Sequence, residues 1–207
     1  MRIGVYGGSF NPVHLGHLLA AECSREQACL DRVLFVPAAV PPHKRDRALA
    51  TAEDRLAMLA LAVGGHEAFA VSTLELDRGG VSYTIDTLAD LAARHPGDTL
   101  VLLLGPDAVA GLPTWRDPGA ILDGWEVRAV ERDGLDDVAS IVARPDVAAL
   151  LGAERASGLI ESRIRMPAIG IRASDLRAAV AAGRSIRYRT PRAVEAYISA
   201  HGLYRAT

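Results

Sequence analysis

The sequence predicts an open α/β fold: a mostly parallel sheet with helices on both faces and a small helical segment towards the C-terminal end. Three observations lead there. Short apolar runs alternate with longer stretches of helical period, the pattern of strand–helix units. The chain has 207 residues, half of them hydrophobic, enough for one substantial core. No internal repeat, low-complexity tract or linker divides it, so residues 1–207 read as a single domain.

Taken in order, Arg2 to Tyr6 reads as a buried strand and Leu15 to Leu30 as a helix. Arg32 to Val36 is the second strand, Ala52 to Val63 the second helix, and Ala70 to Leu74 the third strand. Thr84 to Arg94 has helical period, and Thr99 to Leu104 is an unbroken apolar strand. Between Trp125 and Leu159, Asp-rich loops interrupt the pattern, and Val138 to Leu151 reads as one helix or two. Ser162 to Ile171 looks like a last strand and Ala173 to Ala182 like a helix. Pro191 to His201 forms another, with proline in its first turn and Gly202 just past its end. Right-handed crossovers put the helices on both sheet faces.

Composition excludes several classes of protein. Lys and Arg number 23 against 25 Asp and Glu, a formal charge of −2, so there is no whole-protein basic field to hold a nucleic-acid backbone. Any phosphate site must therefore be local. The only cysteines, Cys23 and Cys29, lie in one helical segment, roughly 9 Å apart along its axis and too far to bridge. Unbridged cysteines point to a reducing cytoplasm. The opening MRIGVYGGSF lacks the build of a signal peptide, and no apolar stretch is long enough to span a bilayer.

The strongest signal is the first turn, Gly7-Gly8-Ser9-Phe10-Asn11-Pro12-Val13-His14-Leu15-Gly16-His17, which follows the first strand and opens the first helix. Open α/β sheets bind ligands there, beyond the carboxyl ends of their strands. Adjacent glycines let the backbone approach a phosphate with no Cβ in the way. Asn11 before Pro12 suits a helix entry, with the start anywhere from there to Leu15. Three residues apart, His14 and His17 share one helix face beside free amides and the positive end of the helix dipole, an arrangement suited to an anion. Alternatively each histidine merely caps or packs. Metal ligation is a third reading, but no nearby Cys, Asp or Glu completes a zinc shell. Neither a Walker-type Lys-Ser/Thr nor a full G-x-G-x-x-G follows.

Gly7 to His17 resembles the opening G-G-[ST]-F-[DN]-P-x-H-x-G-H of the H-x-G-H nucleotidyltransferases, and within them the bacterial nicotinate mononucleotide adenylyltransferases. Five later stretches are similar to that family in the same order: Pro37 to Lys44 to its substrate-side loop, Ser82 to Leu88 to its pyridine-binding helix start, and Leu104 to Trp115 to its G-x-D…W segment. Ile171 to Arg177 resembles its phosphate motif, and Tyr197-Ile198 with Leu203-Tyr204 its tail. The resemblance fades between Glu126 and Arg165. It implies a Rossmann-like fold and adenylyl transfer from ATP, arriving with Mg²⁺, to nicotinate mononucleotide. The implied catalytic residues are His17, His14 and Arg177. Gly7, Gly8, Ser9, Phe10, Gly105 and Ser174 would bind ATP, and His43, Lys44, Tyr83, Thr84, Asp107 and Trp115 the mononucleotide. No dedicated protein metal site is expected, and a homo-oligomer is left open.

Each residue also has a plainer reading. Tyr83 and Thr84 sit at a helix start whose amides favour a carboxylate, or Thr84 is only a cap. Trp115 offers a face for stacking on a pyridine, or is a core residue. Asp107, just past a strand end, can accept from ribose hydroxyls, or simply makes a turn. Ser174 is expected to cap a helix whose first turn contains Arg177, a second anion site or an ordinary helix start. His43 and Lys44 follow a Pro-Pro turn and can steer phosphates, or belong to a solvated loop with Arg45. Arg184, Arg187, Arg189 and Arg192 read as surface, with one of them able to reach the triphosphate. Three positions depart from the family: Arg172 stands where Ser is usual, and Ala38 and Ala39 where Asn is common. Rival functions are transfer to nicotinamide mononucleotide, to phosphopantetheine or from CTP, and a non-catalytic nucleotide sensor on the same fold. The segments at Ser82 and Gly105, which suit a pyridine ring, argue against the phosphopantetheine and CTP rivals, and the helix-start amides at Tyr83 and Thr84 favour nicotinate over its neutral amide.

Overall fold

The computed structural model describes residues 1–39, 50–134 and 137–206; His43 and Lys44 lie outside them. Six strands form one sheet in the order β3-β2-β1-β4-β5-β6, and every pairing is parallel. The strands are β1 (Arg2–Gly8), β2 (Arg32–Pro37), β3 (Phe69–Val71), β4 (Thr99–Leu104), β5 (Glu126–Arg132) and β6 (Ile164–Met166). The chain winds outward from β1 to β3, then returns to lay β4 on the other side of β1. That reversal opens a crevice above the carboxyl ends of β1 and β4.

Strand side chains alternate between faces, and this sorts the core into two clusters. Val33, Phe35, Val101 and Leu103 face one side. There they meet α1 (Leu15–Gln27), α2 (Ala52–Val63), α9 (Ala173–Ala181) and α10 (Arg192–Ala200). Ile3, Val5, Leu34, Val36, Leu100, Leu102 and Leu104 face the other. That side is covered by α3 (Leu74–Arg78), α4 (Thr84–Arg94), α5 (Pro106–Gly111), α6 (Pro118–Gly124), α7 (Val138–Val142) and α8 (Pro145–Glu161), the last broken at Gly152.

Several boundaries differ from the sequence reading. The third strand ends at Val71 and Leu74 instead starts α3, because its side chain is buried against the second cluster while Thr73 Oγ1 donates to Asp77 across the new turn. The first helix stops at Gln27, as Cys29 takes a positive φ of 50°. The last strand is only Ile164–Met166, at the sheet edge, where Pro167 has no N–H to extend the ladder. Pro191 precedes α10 as its N-cap instead of sitting in its first turn. The segment from Trp125 resolves into β5 and two helices, with Pro145 opening the second. Both Cys23 and Cys29 are free thiols, and no helix among the described residues is long and apolar enough to cross a membrane.

At Gly4 of β1 a Cβ would lie 2.7 Å from Leu30 Cδ1, in the turn after α1, and 3.1 Å from Leu103 Cδ1 of β4, so a side chain there fits only if both leucines shift. Gly4→Ala should therefore lower stability by about 1–3 kcal/mol, read from urea unfolding, through overpacking beneath an unchanged site.

Candidate active site

The turn from β1 to α1 leaves the sheet at its switch point. Gly7 closes the ladder against Val36 and Gly8 against Pro37. A Cβ on Gly7 would meet nothing within 4 Å, so the absent side chain leaves open space over the main chain. Gly8 is required for another reason, since the Phe10 ring lies 3.0 Å from where its Cβ would stand. Phe10 adopts a positive φ of 44° and buries its ring, edge-on to Tyr6 at 5.7 Å and to His17 at 5.2 Å. Its side chain therefore packs against the histidine, which leaves the main chain as the part of Phe10 able to meet a ligand.

Helix α1 starts at Leu15, so His14 is its N-cap and His17 its third residue. The His14 main-chain N–H donates to Nδ1 of His17 at 3.2 Å. An imidazole that accepts at Nδ1 carries its proton on Nε2 when neutral, which makes His17 a donor at its outer edge. The two rings stack at 3.7 Å with 24° between their planes. His14 is buried, with Nδ1 unpartnered, and desolvation followed by the charge of Arg132 lowers its pKa to about 4. The glycine between them is a spacing requirement: a Cβ on Gly16 would sit 3.1 Å from the His14 ring.

Distant residues complete the turn. Asn11 is buried, and its Oδ1 accepts from the Tyr204 hydroxyl at 2.6 Å and from the Ala50 N–H at 3.1 Å. Its main-chain carbonyl accepts from Arg177 Nη1 at 2.7 Å. Thr190 donates to the Val13 carbonyl at 2.8 Å, and the Leu15 N–H donates to the Arg189 carbonyl at 3.1 Å. Arg177 of α9 is thus brought against the first turn, as the sequence reading required. Ser174 does not cap α9. Arg172 holds the N-cap position and supplies no capping bond, while Ser174, one residue inside the helix, donates to its neighbour Asp175. Arg177 is the fifth residue of α9, beyond the first turn where it was expected. The basic stretch is mostly surface, with Arg187 and Arg192 both paired to Glu195.

A cavity of about 240 Å³ extends from Gly7, Gly8 and Ser9 along the ends of β2 and β4. Gly105, Thr84 and Trp115 line it, joined by Ala38, Glu75, Ser82, Thr87 and Ala108. Tyr83 does not line it: its ring lies under the Arg116 guanidinium at 4.9 Å. As N-cap of α4 it makes no side-chain capping bond, so the first amides of that helix have no cap from it. Asp107 is exposed in the first turn of α5 and is not among the lining residues.

Sequence reading missed Glu75 and Thr87. Burial raises the Glu75 pKa, opposed by Thr87, whose hydroxyl donates to Oε1 at 2.7 Å. The only hint in sequence was two polar residues on otherwise apolar helix faces. Ser82 Oγ is buried in the same wall, beside the Glu75 carboxyl, where like Thr87 it opposes the rise in the Glu75 pKa.

A parallel sheet with a glycine corner, a paired-histidine helix start and a second helix bearing an arginine defines a nucleotide-transferring class of α/β protein. Residues 5–179 match the family described as cytidylyltransferase-like, and the chain belongs to it. It is 44% identical to a Thermus thermophilus protein named "probable nicotinate-nucleotide adenylyltransferase", over 99% of this chain and 100% of that one. A Roseiflexus protein of the same name is 45% identical, over 98% of each. Among solved structures it resembles Plasmodium falciparum nicotinic acid mononucleotide adenylyltransferase complexed with NaAD, with a TM-score of 0.74 and 17% identity over 98% of this chain and 97% of that one. At that identity the likeness speaks for the fold alone.

The low pKa of His14 makes stability depend on pH. Above its ordinary value of 6.5 the ring is neutral folded or unfolded; below it the unfolded chain takes up a proton that the fold refuses until about pH 4. Stability contributed by neutral His14 should fall across that window by up to about 3 kcal/mol. Denaturant titrations of wild type and His14→Asn at a series of pH values should show the variant with the flatter profile.

Proposed function

We propose that this protein transfers the adenylyl group of ATP to nicotinate mononucleotide, yielding nicotinate adenine dinucleotide and pyrophosphate in NAD biosynthesis. The observation that carries the reading is continuity: the loop that ends in the stacked histidines also forms one end of the cavity lined by Trp115 and the start of α4. The names of the full-length relatives at 44% and 45% identity support the same activity.

In this reading, an ionised oxygen of the mononucleotide phosphate attacks the α-phosphorus of ATP in line. A new P–O bond forms as the bond to pyrophosphate breaks, and the electron pair leaves with pyrophosphate. The nucleophile is already deprotonated, so no general base is needed, and catalysis consists of alignment and charge stabilisation. His17 donates Nε2–H to an α-phosphate oxygen. His14 holds that ring in its tautomer through its main-chain N–H and in its plane through stacking. Arg177 faces the outer phosphates, and the main chain of Gly7 to Ser9 accommodates the reacting groups. The pyridine ring stacks on Trp115, its carboxylate toward the amides of α4. Mg²⁺ enters as part of the ATP substrate. Its ligands would be phosphate oxygens and water. Two free thiols suit a reducing cytoplasm.

Pyrophosphate release from ATP, with each mononucleotide offered in turn, tests the assignment: the acid should be strongly preferred over the amide, and release with neither would refute it. Replacing His17 by Ala should lower kcat by about 10²- to 10³-fold. The same change removes one capping bond, at about 1 kcal/mol, so the variant should remain folded by circular dichroism. Near-normal turnover in folded His17→Ala would remove the residue from this role.

A further inference from the structure

Arg55, in the first turns of α2, is 2% exposed, the largest fully buried side chain among the described residues. Among the described residues its guanidinium donates to four main-chain carbonyls. Nη1 donates to Ala38 at 2.7 Å and to Ser9 at 3.2 Å, Nη2 donates to Ala39 at 3.2 Å, and Nε to Ala50 at 3.2 Å. One planar fork thus ties the loop after β1, the chain leaving β2 and the approach to α2. The first two of these segments are also joined by a bond from the Ala38 N–H to the Gly8 carbonyl, at 2.9 Å. Gly8, Ser9 and Ala38 all line the cavity.

Burying a cation is costly unless its donors are satisfied, and a helix or sheet would use aliphatic packing at such a place. What the guanidinium supplies is direction. Five N–H groups spread in a plane can reach carbonyls on separate segments, which a lysine ammonium, with three donors at one point, cannot do. In a trans peptide the carbonyl and the following N–H point opposite ways. Drawing the Ser9 and Ala38 carbonyls toward Arg55 therefore turns the N–H groups of Phe10 and Ala39 away from it. Positions 38 and 39 carry only methyl side chains, so hydrogen bonds from these two residues to a ligand come from the main chain alone. Arg55 reaches the first turn only at Ser9 and takes no part in the bonds of His14 to His17 and of Arg177 to Asn11.

We propose that Arg55 is a positioning residue for the mononucleotide: its fork sets the main-chain wall formed by Ser9, Ala38 and Ala39 that receives this phosphate-bearing substrate. The claim rests on the adenylyl-transfer reading for the identity of the ligand, while the clamp itself can be measured without turnover.

The decisive variant is Arg55→Lys, which keeps the charge and removes the fork; Arg55→Met, which strands four carbonyls, serves as a comparison only if it folds. Two readouts are taken: amide hydrogen exchange across residues 7–12 and 36–39, and KM for each substrate from pyrophosphate release. With Arg55→Lys, exchange should quicken in both segments, and KM for nicotinate mononucleotide should rise roughly tenfold or more while KM for ATP shifts by less than about threefold. Unchanged exchange with unchanged KM overturns the proposal, as does an equal rise in both KM values, which would signal general loosening. A wild-type protein that releases no pyrophosphate with either mononucleotide refutes the activity instead. Exchange then decides alone, faster exchange in both segments supporting the clamp and unchanged exchange overturning it.

Discussion

A strand that stops and a helix that starts within six residues leave a row of main-chain donors and acceptors with no regular partners, and in this protein that row is buried. Buried polar backbone must find partners. Asn11, Val13 and Ser9 find them on Arg177, Thr190 and Arg55, side chains supplied by α9, by the approach to α10 and by α2. The irregular turn is thereby held at three points along its length, and in the proposed reading it carries the nucleotide chemistry.

This requirement explains why the C-terminal helices pack where they do. α9 and α10 share the core cluster of α1 and α2, and the chain after α10 sends the Tyr204 hydroxyl to Asn11. Burial raises the Tyr204 pKa, so that hydroxyl remains a donor at neutral pH. Substrate-binding surface and structural clasp are then the same object. A change at Tyr204 or Thr190 would act on the histidine pair through the turn, without touching a ligand.

The histidine pair shows how capping and chemistry coincide. In most helices the N-cap bond is made by Ser, Thr, Asn or Asp, and its reciprocal by Glu or Gln. Here His17 makes the reciprocal bond, which assigns its neutral tautomer with the proton on Nε2. Stacking on a ring kept neutral by burial avoids the repulsion that two imidazolium ions would feel at 3.7 Å.

Much of this was present in the order of residues. Alternating apolar strands and helical periods define the parallel sheet, and Gly7-Gly8 followed by His14 and His17 marks the anion corner, because local spacing dictates local geometry. Helices α2 and α4 could be read to their ends for the same reason. What only tertiary structure decided were partnerships across long separations, which no periodicity encodes. Arg177 reaches the carbonyl of Asn11 over 166 residues, the Phe10 ring is buried against His17, and Tyr83 stacks under Arg116 while Ser82 and Thr87 line the cavity. Arg55 reads in sequence as one more charge on a helix; its burial follows from the folded positions of Ser9, Ala38, Ala39 and Ala50, whose carbonyls it satisfies.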